Sequence, residues 1–177
     1  MAYQNNSVSY GSYGMNSRKA TQLILAGFVA SVVMTGLAYL LRTVGIPAPD
    51  FGAEYGAILN GQEYPVPMSG LWTAGLAWHL VNGTLIFSFL FDYLAHRTVL
   101  PNARRSKGVL YGLGIWIFAG LIVAPIAGEG LFFRLLAAPL TVAVTALVCW
   151  LVYGLVLDEM TRVRAVHYLD VSDRSAA

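Results

Sequence analysis

Charged residues are scarce in this 177-residue chain: Asp, Glu, Lys and Arg together make up 11% of it. In a soluble domain these residues make up about a quarter of the chain. Four stretches contain none of them, namely 20–41, 64–91, 108–128 and 135–157. Each stretch has at least 21 residues, and a helix needs about 20 to cross the hydrocarbon core of a bilayer. This pattern excludes a soluble globular domain.

The four apolar stretches also exclude a membrane β-barrel, whose strands alternate apolar and polar residues. A segment inside lipid must satisfy its own backbone hydrogen bonds, which leaves the α-helix. We predict an all-α, polytopic membrane protein with a polar tail at 1–17, a transmembrane domain at 18–162 and a C-terminal tail at 163–177. Its four transmembrane helices are predicted at about 19–43, 71–96, 105–126 and 134–162.

Cysteine and catalytic motifs are nearly absent as well. The single cysteine, Cys149, lies in the fourth apolar stretch, so no intrachain disulfide can form. The sequence has no Cys/His spacing of a metal site, no phosphate-binding glycine loop, no nucleophile elbow and no HExxH motif. We therefore expect that the protein is not an enzyme. Since the basic residues flank the membrane stretches, we also expect no nucleic-acid partner.

The basic residues predict the orientation of the chain. Two of the eleven, Arg42 and Arg134, lie on one side of the predicted membrane, and nine lie on the side of the termini. The nine are Arg18, Lys19, Arg97, Arg104, Arg105, Lys107, Arg162, Arg164 and Arg174. Because Lys and Arg favour the cytoplasmic side, we predict a multi-pass protein of the prokaryotic cytoplasmic (inner) membrane with both termini in the cytoplasm. The first helix is expected to be an uncleaved anchor.

His79 and Asn82 are the candidate binding residues, because both lie in the second apolar stretch and, three residues apart, share one helix face. Ionisable groups at this depth are costly and usually face the bundle interior or a cofactor. Three hypotheses stay open for His79. It is a neutral histidine hydrogen-bonded to Asn82 or to a neighbouring helix, an axial ligand of a haem or chlorophyll-type macrocycle, or a proton or quinone contact. The cofactors to consider are therefore lipid, a quinone or a macrocycle.

Polar residues outside the apolar stretches give three further expectations. Asp50 is predicted to cap a short helix that lies at the membrane surface. Its apolar stripe would consist of Phe51, Tyr55 and Leu59. Glu129 is expected to be an exposed loop acid, and Asp92 to form an ion pair at the inner membrane interface.

The sequence also shows a faint internal duplication. Residues 79–86 line up with residues 150–157, and Gly27 can be set against Gly112. Because odd helices would run outward and even ones inward, this would be a parallel repeat of one helical hairpin.

Several short motifs carry a resemblance to a known family. They are GFVA at 27–30, MT at 34–35, GIP at 45–47, GVLYGLGIW at 108–116 and LVYGLVL at 151–157. Over residues 20–158 the chain resembles an uncharacterised family of small prokaryotic four-helix integral membrane proteins, a domain of unknown function. The resemblance implies the fold and brings no activity with it.

Two functions are compatible with these observations. The first is a non-catalytic accessory subunit of a larger membrane complex, such as a respiratory or photosynthetic electron-transfer assembly. Its partners would be membrane lipids and other subunits, one of which would contact residues 1–17 on the cytoplasmic side. The alternative is a free-standing protein that binds or transports a quinone, pigment or solute through His79 and Asn82.

The predicted orientation can be tested with an impermeant thiol reagent on intact cells. Cysteine at Asn60 should be labelled from outside, whereas cysteine at Asn102 should be protected, because the basic residues put residue 102 in the cytoplasm. Cys149 of the parent chain, which lies in the fourth apolar stretch, provides the background signal. Labelling of Asn102→Cys with protection of Asn60→Cys would reverse the topology.

Overall fold

The computed structural model describes residues 17–96 and 106–175, and all regular structure in this part of the chain is helical. The helices are α1 (Ser17–Thr43), α2 (Phe51–Leu59), α3 (Gly70–Val81, continued by a π-helical segment at Asn82–Phe87 and by Ser88–His96), α4 (Ser106–Phe118, continued by a π-helical segment at Ala119–Val123 and by Ala124–Ile126) and α5 (Pro139–Ser175). A 3-10 turn at Leu131–Phe133 precedes α5.

Four of these helices are long and apolar enough to cross a membrane: Ser17–Thr43, Gly70–Ala95, Ser106–Ile126 and Pro139–Arg162. The predicted all-α fold with four transmembrane helices is confirmed. The fourth helix begins at Pro139 and not at residue 134. Before it the chain makes a turn in which Phe132 and Phe133 have positive φ angles, a conformation that cannot continue a right-handed helix.

The transmembrane helices form one bundle with two distinct ends. We call the end with the connections 44–69 and 127–138 the loop end, and the end where α1 starts the terminal end. Helix α1 packs against α3 and α5, and α4 packs against α5. The core between them includes Met34, Phe91, Tyr111, Trp150, Tyr153 and Leu157. Many large apolar side chains remain exposed on the outer faces of the helices, as expected for surfaces that contact lipid.

Glycines allow the helices of each hairpin to approach closely. A Cβ on Gly27 would overlap the backbone of α3 at Gly83, and a Cβ on Gly154 would overlap the backbone of α4 at Gly108. Apolar burial does not drive helices together inside lipid, so close contacts between small residues supply much of the packing. Gly83 and Gly154 are equivalent positions in the suggested duplication, which stays a hypothesis.

Helix α2 corrects one expectation, because it is inserted into the bundle instead of lying at the membrane surface. Every residue from Phe51 to Ala57 is buried, and only the end of the helix is exposed, with Leu59 at 54%. Gly52 and Gly56 form one small face of α2. A Cβ on the facing Gly75 of α3 would overlap their backbone atoms. This close approach draws α2 into the bundle.

Asp50 fixes the start of α2. Its Oδ1 accepts hydrogen bonds from the backbone N–H of Ala53 (3.1 Å), the Tyr39 hydroxyl (3.1 Å) and Trp72 Nε1 (2.9 Å). Its Oδ2 lies 3.2 Å from Nη2 of Arg42. The predicted helix cap is confirmed, and the same carboxylate also ties α2 to α1 and α3.

Tyrosines from two other helices stabilise the π-helical segment of α3. The Tyr153 hydroxyl of α5 donates to the Gly83 carbonyl oxygen at 2.6 Å, and the Tyr111 hydroxyl of α4 donates to the Phe87 carbonyl oxygen. A π-helical turn disturbs the usual backbone bonding, so carbonyl groups there gain from outside donors.

At the terminal end, Asp92 of α3 forms an ion pair with Lys19 of α1 (Oδ2 to Nζ, 2.8 Å). The ion pair expected for Asp92 is therefore present. It closes the end of the bundle opposite α2.

The contact between α2 and α3 gives a test of the fold. Substitution Gly75→Ala places a methyl group against the α2 backbone and should lower the free energy of unfolding by about 1–3 kcal/mol. Gly36→Ala is the matched control, since a Cβ at Gly36 meets nothing within 4 Å. Thermal unfolding in detergent should show a lower midpoint for Gly75→Ala only. Equal midpoints for the two variants would contradict the tight contact.

Candidate functional site

His79 lies inside the bundle with a side chain that is 1% exposed. Its Nε2 is 3.1 Å from the Thr35 hydroxyl of α1. Phe51 of α2 stacks on the imidazole at a ring-centroid distance of 4.1 Å, and Trp150 of α5 lies edge-on at 6.4 Å. The ring therefore faces protein, and its hydrogen bond goes to a neighbouring helix and not to Asn82.

This enclosure does not fit the macrocycle hypothesis. An axial ligand needs a ring nitrogen that faces a space wide enough for a macrocycle. Nε2 of His79 is bonded to Thr35, and Nδ1 is buried without a hydrogen-bond partner among the described residues. The unpartnered Nδ1 is unusual, since buried polar atoms are nearly always hydrogen-bonded.

Asn82 belongs to the same region through Tyr55. Its amide lies beside the Tyr55 phenol, whose ring centroid is 5.3 Å from that of His79. Asn82 is also the first residue of the π-helical segment, and its backbone N–H donates to the carbonyl groups of Trp78 and His79. Tyr55 of α2 therefore lies beside both residues that are predicted from the sequence, His79 and Asn82.

Three carboxyl groups lie next to this region at the loop end: Asp50, Glu54 and Glu129. We call them the carboxyl cluster. Glu129 was expected to be exposed, which is wrong: it is 5% exposed and accepts a 2.6 Å hydrogen bond from the Tyr64 hydroxyl. Glu54 is 4% exposed and has neither a hydrogen bond nor an ion pair in the described part of the chain.

Burial and mutual repulsion favour the protonated forms of Glu54 and Glu129. Loss of solvent, followed by the charges of Glu129 and Asp50, holds the pKa of Glu54 well above its ordinary value. Burial raises the pKa of Glu129 to about 7; the Tyr64 hydrogen bond opposes this rise and the Asp50 charge adds to it. Glu129 can therefore exchange protons near neutral pH, and Glu54 keeps its proton to higher pH than an exposed glutamate does.

A cleft reaches the cluster from the surface. It has a volume of about 720 Å³ and lies between α1, the 44–69 connection and the start of α3. Asp50 forms part of its wall, together with Tyr39, Arg42 and Trp72. Where the structure describes side chains, at residues 17–95 and 106–162, no three His, Cys, Asp or Glu residues are grouped so as to hold a metal ion.

The sequence was compared with known families, curated proteins and solved structures. The profile of DUF6789, a family of unknown function, matches residues 17–167, which include all four transmembrane helices. The chain belongs to the DUF6789 family. No curated protein and no solved structure matches it. The predicted resemblance to an uncharacterised family is therefore confirmed, and the family brings no activity to the chain.

Most of the site in this DUF6789 protein goes beyond the residues predicted from the sequence. Glu54 and Tyr64 are not among those residues, and Glu129 is predicted only as an exposed loop acid. The signal that could have identified α2 as an inserted helix is Gly52-Ala53-Glu54-Tyr55-Gly56, a small-xxx-small pattern typical of close helix packing in membranes.

The raised pKa values predict how stability depends on pH. The folded chain keeps its protons on Glu54 and Glu129 at pH values where an unfolded chain has lost them, so it binds more protons than the unfolded chain. Its stability should therefore fall as pH rises from about 4.5 towards 7, and the melting temperature in detergent should drop by several degrees between pH 5 and pH 8.

Glu129→Gln should reduce this slope, because glutamine keeps the Tyr64 hydrogen bond and does not titrate. Glu63→Gln, at an exposed position of the same connection, is the matched control and should keep the slope of the parent chain. A melting temperature that does not change with pH in the parent chain would refute the assignment.

Proposed function

We propose that this DUF6789 protein is a free-standing membrane protein that binds, and carries across the membrane, a small solute at the loop end. The carboxyl cluster would form the charged part of the binding site. His79, Asn82 and Tyr55 would form its inner wall, next to Glu54 on α2. This is the binding or transport function considered for His79 and Asn82 from the sequence, with the carboxyl groups as the main binding residues.

The burial of Glu54 carries this proposal: the residue is 4% exposed, and loss of solvent holds the pKa of its carboxyl group well above the ordinary value. Taking a carboxyl group out of water costs free energy, and Nδ1 of the nearby His79 is fully buried without a hydrogen bond among the described residues. Neither the helix cap nor the α2–α3 contact uses Glu54, because Asp50 and the glycines provide them. A group that costs stability without serving the fold indicates a function, and within membranes such groups mark solute and proton pathways.

The location of the site supports transport more than storage. A cleft opens to the surface beside Asp50, at the loop end of the cluster. Behind it, the core runs towards the terminal end along two helices that each contain a π-helical segment. Such segments are frequent at functional sites.

We also propose that the membrane is the prokaryotic cytoplasmic membrane, with both termini in the cytoplasm and the loop end outside. The support is the distribution of Lys and Arg, nine against two. In this orientation the cleft would take solute from outside the cell.

The accessory-subunit function is the second candidate. Gly36 of α1 and Gly114 of α4 favour it, because a Cβ on either would meet nothing within 4 Å. Exposed glycines on transmembrane helices allow a helix of another protein to approach closely. A partner contact is predicted for residues 1–17, of which residues 1–16 lie outside the described residues. An electron-transfer assembly would be the partner complex.

The two candidates differ in what purifies with the chain. Native mass measurement in mild detergent should give an isolated chain or a homo-oligomer if the protein is free-standing. The purified chain should then melt at a higher temperature with at least one class in a panel of inorganic cations, ammonium compounds, carboxylates and sugars, because a ligand stabilises the state that binds it.

Glu54→Gln should abolish that shift, whereas Glu63→Gln, with its exposed side chain, should keep it. Stable co-purification with other subunits, together with no ligand shift in any class, would favour the accessory-subunit function instead.

A further inference from the structure

The carboxyl cluster holds more acidic groups than basic ones. Asp50, Tyr55, Tyr64 and Glu129 interact with Glu54. Around these groups, Tyr39 and Arg42 of α1 contact Asp50, and His79 of α3 lies beside Tyr55. Arg42 is the one cation among them, and it is paired with Asp50. If the three carboxyl groups were ionised, two buried negative charges would have no counter-charge. Either protons or a bound cation must neutralise them.

The cleft that reaches the cluster favours an organic cation over a metal ion. The rings of Tyr39 and Trp72 lie 5.9 Å apart in its wall, and both donate to the same oxygen of Asp50. The other walls include Ile46, Pro47 and Met68. Aromatic faces attract ammonium groups that have lost their water shell. Hard inorganic cations prefer several oxygen ligands or water.

Asp50 and Glu54 connect the cleft with the interior. Glu54 follows Asp50 by four positions, and because Asp50 caps α2, Glu54 lies in the first turn of the helix. Asp50 lies in the wall of the cleft beside Arg42. Glu54 lies further along α2, is 4% exposed and has no hydrogen bond or ion pair with the described residues. A cation that displaces Arg42 from Asp50 would have Glu54 as its next anionic contact.

We propose, building on the function proposed above, that the solute is a monovalent organic cation, an ammonium compound with an apolar body, which binds Glu54 in exchange for a proton. The neutral carboxyl group releases its proton to water as the ammonium group arrives, and the carboxylate then pairs with the ammonium. The O–H bond of Glu54 is the one bond that breaks, and no oxidant or co-reactant is needed. The net charge of the site does not change.

The test uses the full chain in detergent and benzyltrimethylammonium, whose fixed positive charge cannot itself release a proton. Its neutral isostere neopentylbenzene, in which carbon replaces the nitrogen, is the matched ligand control. At pH 6, mixing protein with the ammonium compound in weak buffer should release about one proton per molecule bound. Its apparent affinity should rise about tenfold from pH 6 to pH 7, as expected when one proton leaves. Neopentylbenzene should release none.

Substitution Glu54→Gln should abolish proton release and the pH dependence, while Glu63→Gln should keep both. Should Glu54→Gln not fold, the comparison of the two ligands on the parent chain still decides. Equal binding of neopentylbenzene, or proton release caused by Na⁺ or K⁺ but not by the ammonium compound, would overturn the proposal. Binding of a carboxylate or sugar that depends on Glu54 would overturn the cation assignment and leave the proposed function standing. No binding in any class would overturn both.

Discussion

The inserted position of α2 depends on one carboxylate, that of Asp50. A short helix of nine residues gains little stability from its own backbone, and the cost of its unsatisfied N–H groups would be high near lipid. Asp50 accepts from the first turn of α2, and in the same place it holds Tyr39, Arg42 and Trp72 from the flanking helices. Hydrogen bonds that involve a charged group are about twice as strong as neutral ones, so this carboxylate sets the position and direction of α2.

The burial of Glu54 and the packing around His79 follow from that position. With Asp50 fixed, the glycine face of α2 meets Gly75, and Phe51 comes to stack on His79. Glu54 is then carried one turn below Asp50 to a place where it is 4% exposed. The four transmembrane helices alone would offer His79 and Asn82 as the polar groups at this depth. The carboxyl groups arrive only through the connections.

Glu129 reaches the cluster by a different route, through backbone strain. Phe132 and Phe133 both adopt positive φ angles, which cost about 1–2 kcal/mol per residue outside glycine. The strain persists because the surroundings hold it. The Phe132 ring fills the space beside Gly120 of α4, and the Leu135 N–H bonds to the Glu129 carbonyl oxygen at 2.9 Å. Strained backbone that holds a buried acid in place is typical of functional sites and not of plain connections.

The sequence predicts the transmembrane helices well because their signal is local. The length and apolar composition of each charge-free stretch are enough to predict a transmembrane helix, whatever the neighbouring helices are. The cap at Asp50 was predictable for the same reason, since it depends on a bond to Ala53 three residues away. The duplication and the orientation rest on patterns that the structure of a single chain does not test.

The site could not be predicted in this way, because its contacts join distant parts of the chain. Tyr64 and Glu129 are 65 residues apart, and Thr35 and His79 are 44 apart. Both Glu54 and Glu129 look like ordinary loop acids when read along the sequence, where a charge in a connection is normally exposed. The inserted position of α2 buries Glu54, and the strained turn at Phe132 and Phe133 holds Glu129 beside it.

The same geometry explains why a solute would be exchanged and not held permanently. A site binds a cation tightly when the cation alone neutralises its buried negative charge. At this site, protons would neutralise part of that charge whenever no solute is bound. The net gain on binding is therefore the difference between two neutralised states, which is small and changes with pH. A carboxyl group whose pKa is raised towards neutral pH, like that of Glu129 at about 7, is suited to such an exchange. Under the proposed function, Arg42 would compete with a bound cation for Asp50, and this permanent charge would assist release of the solute.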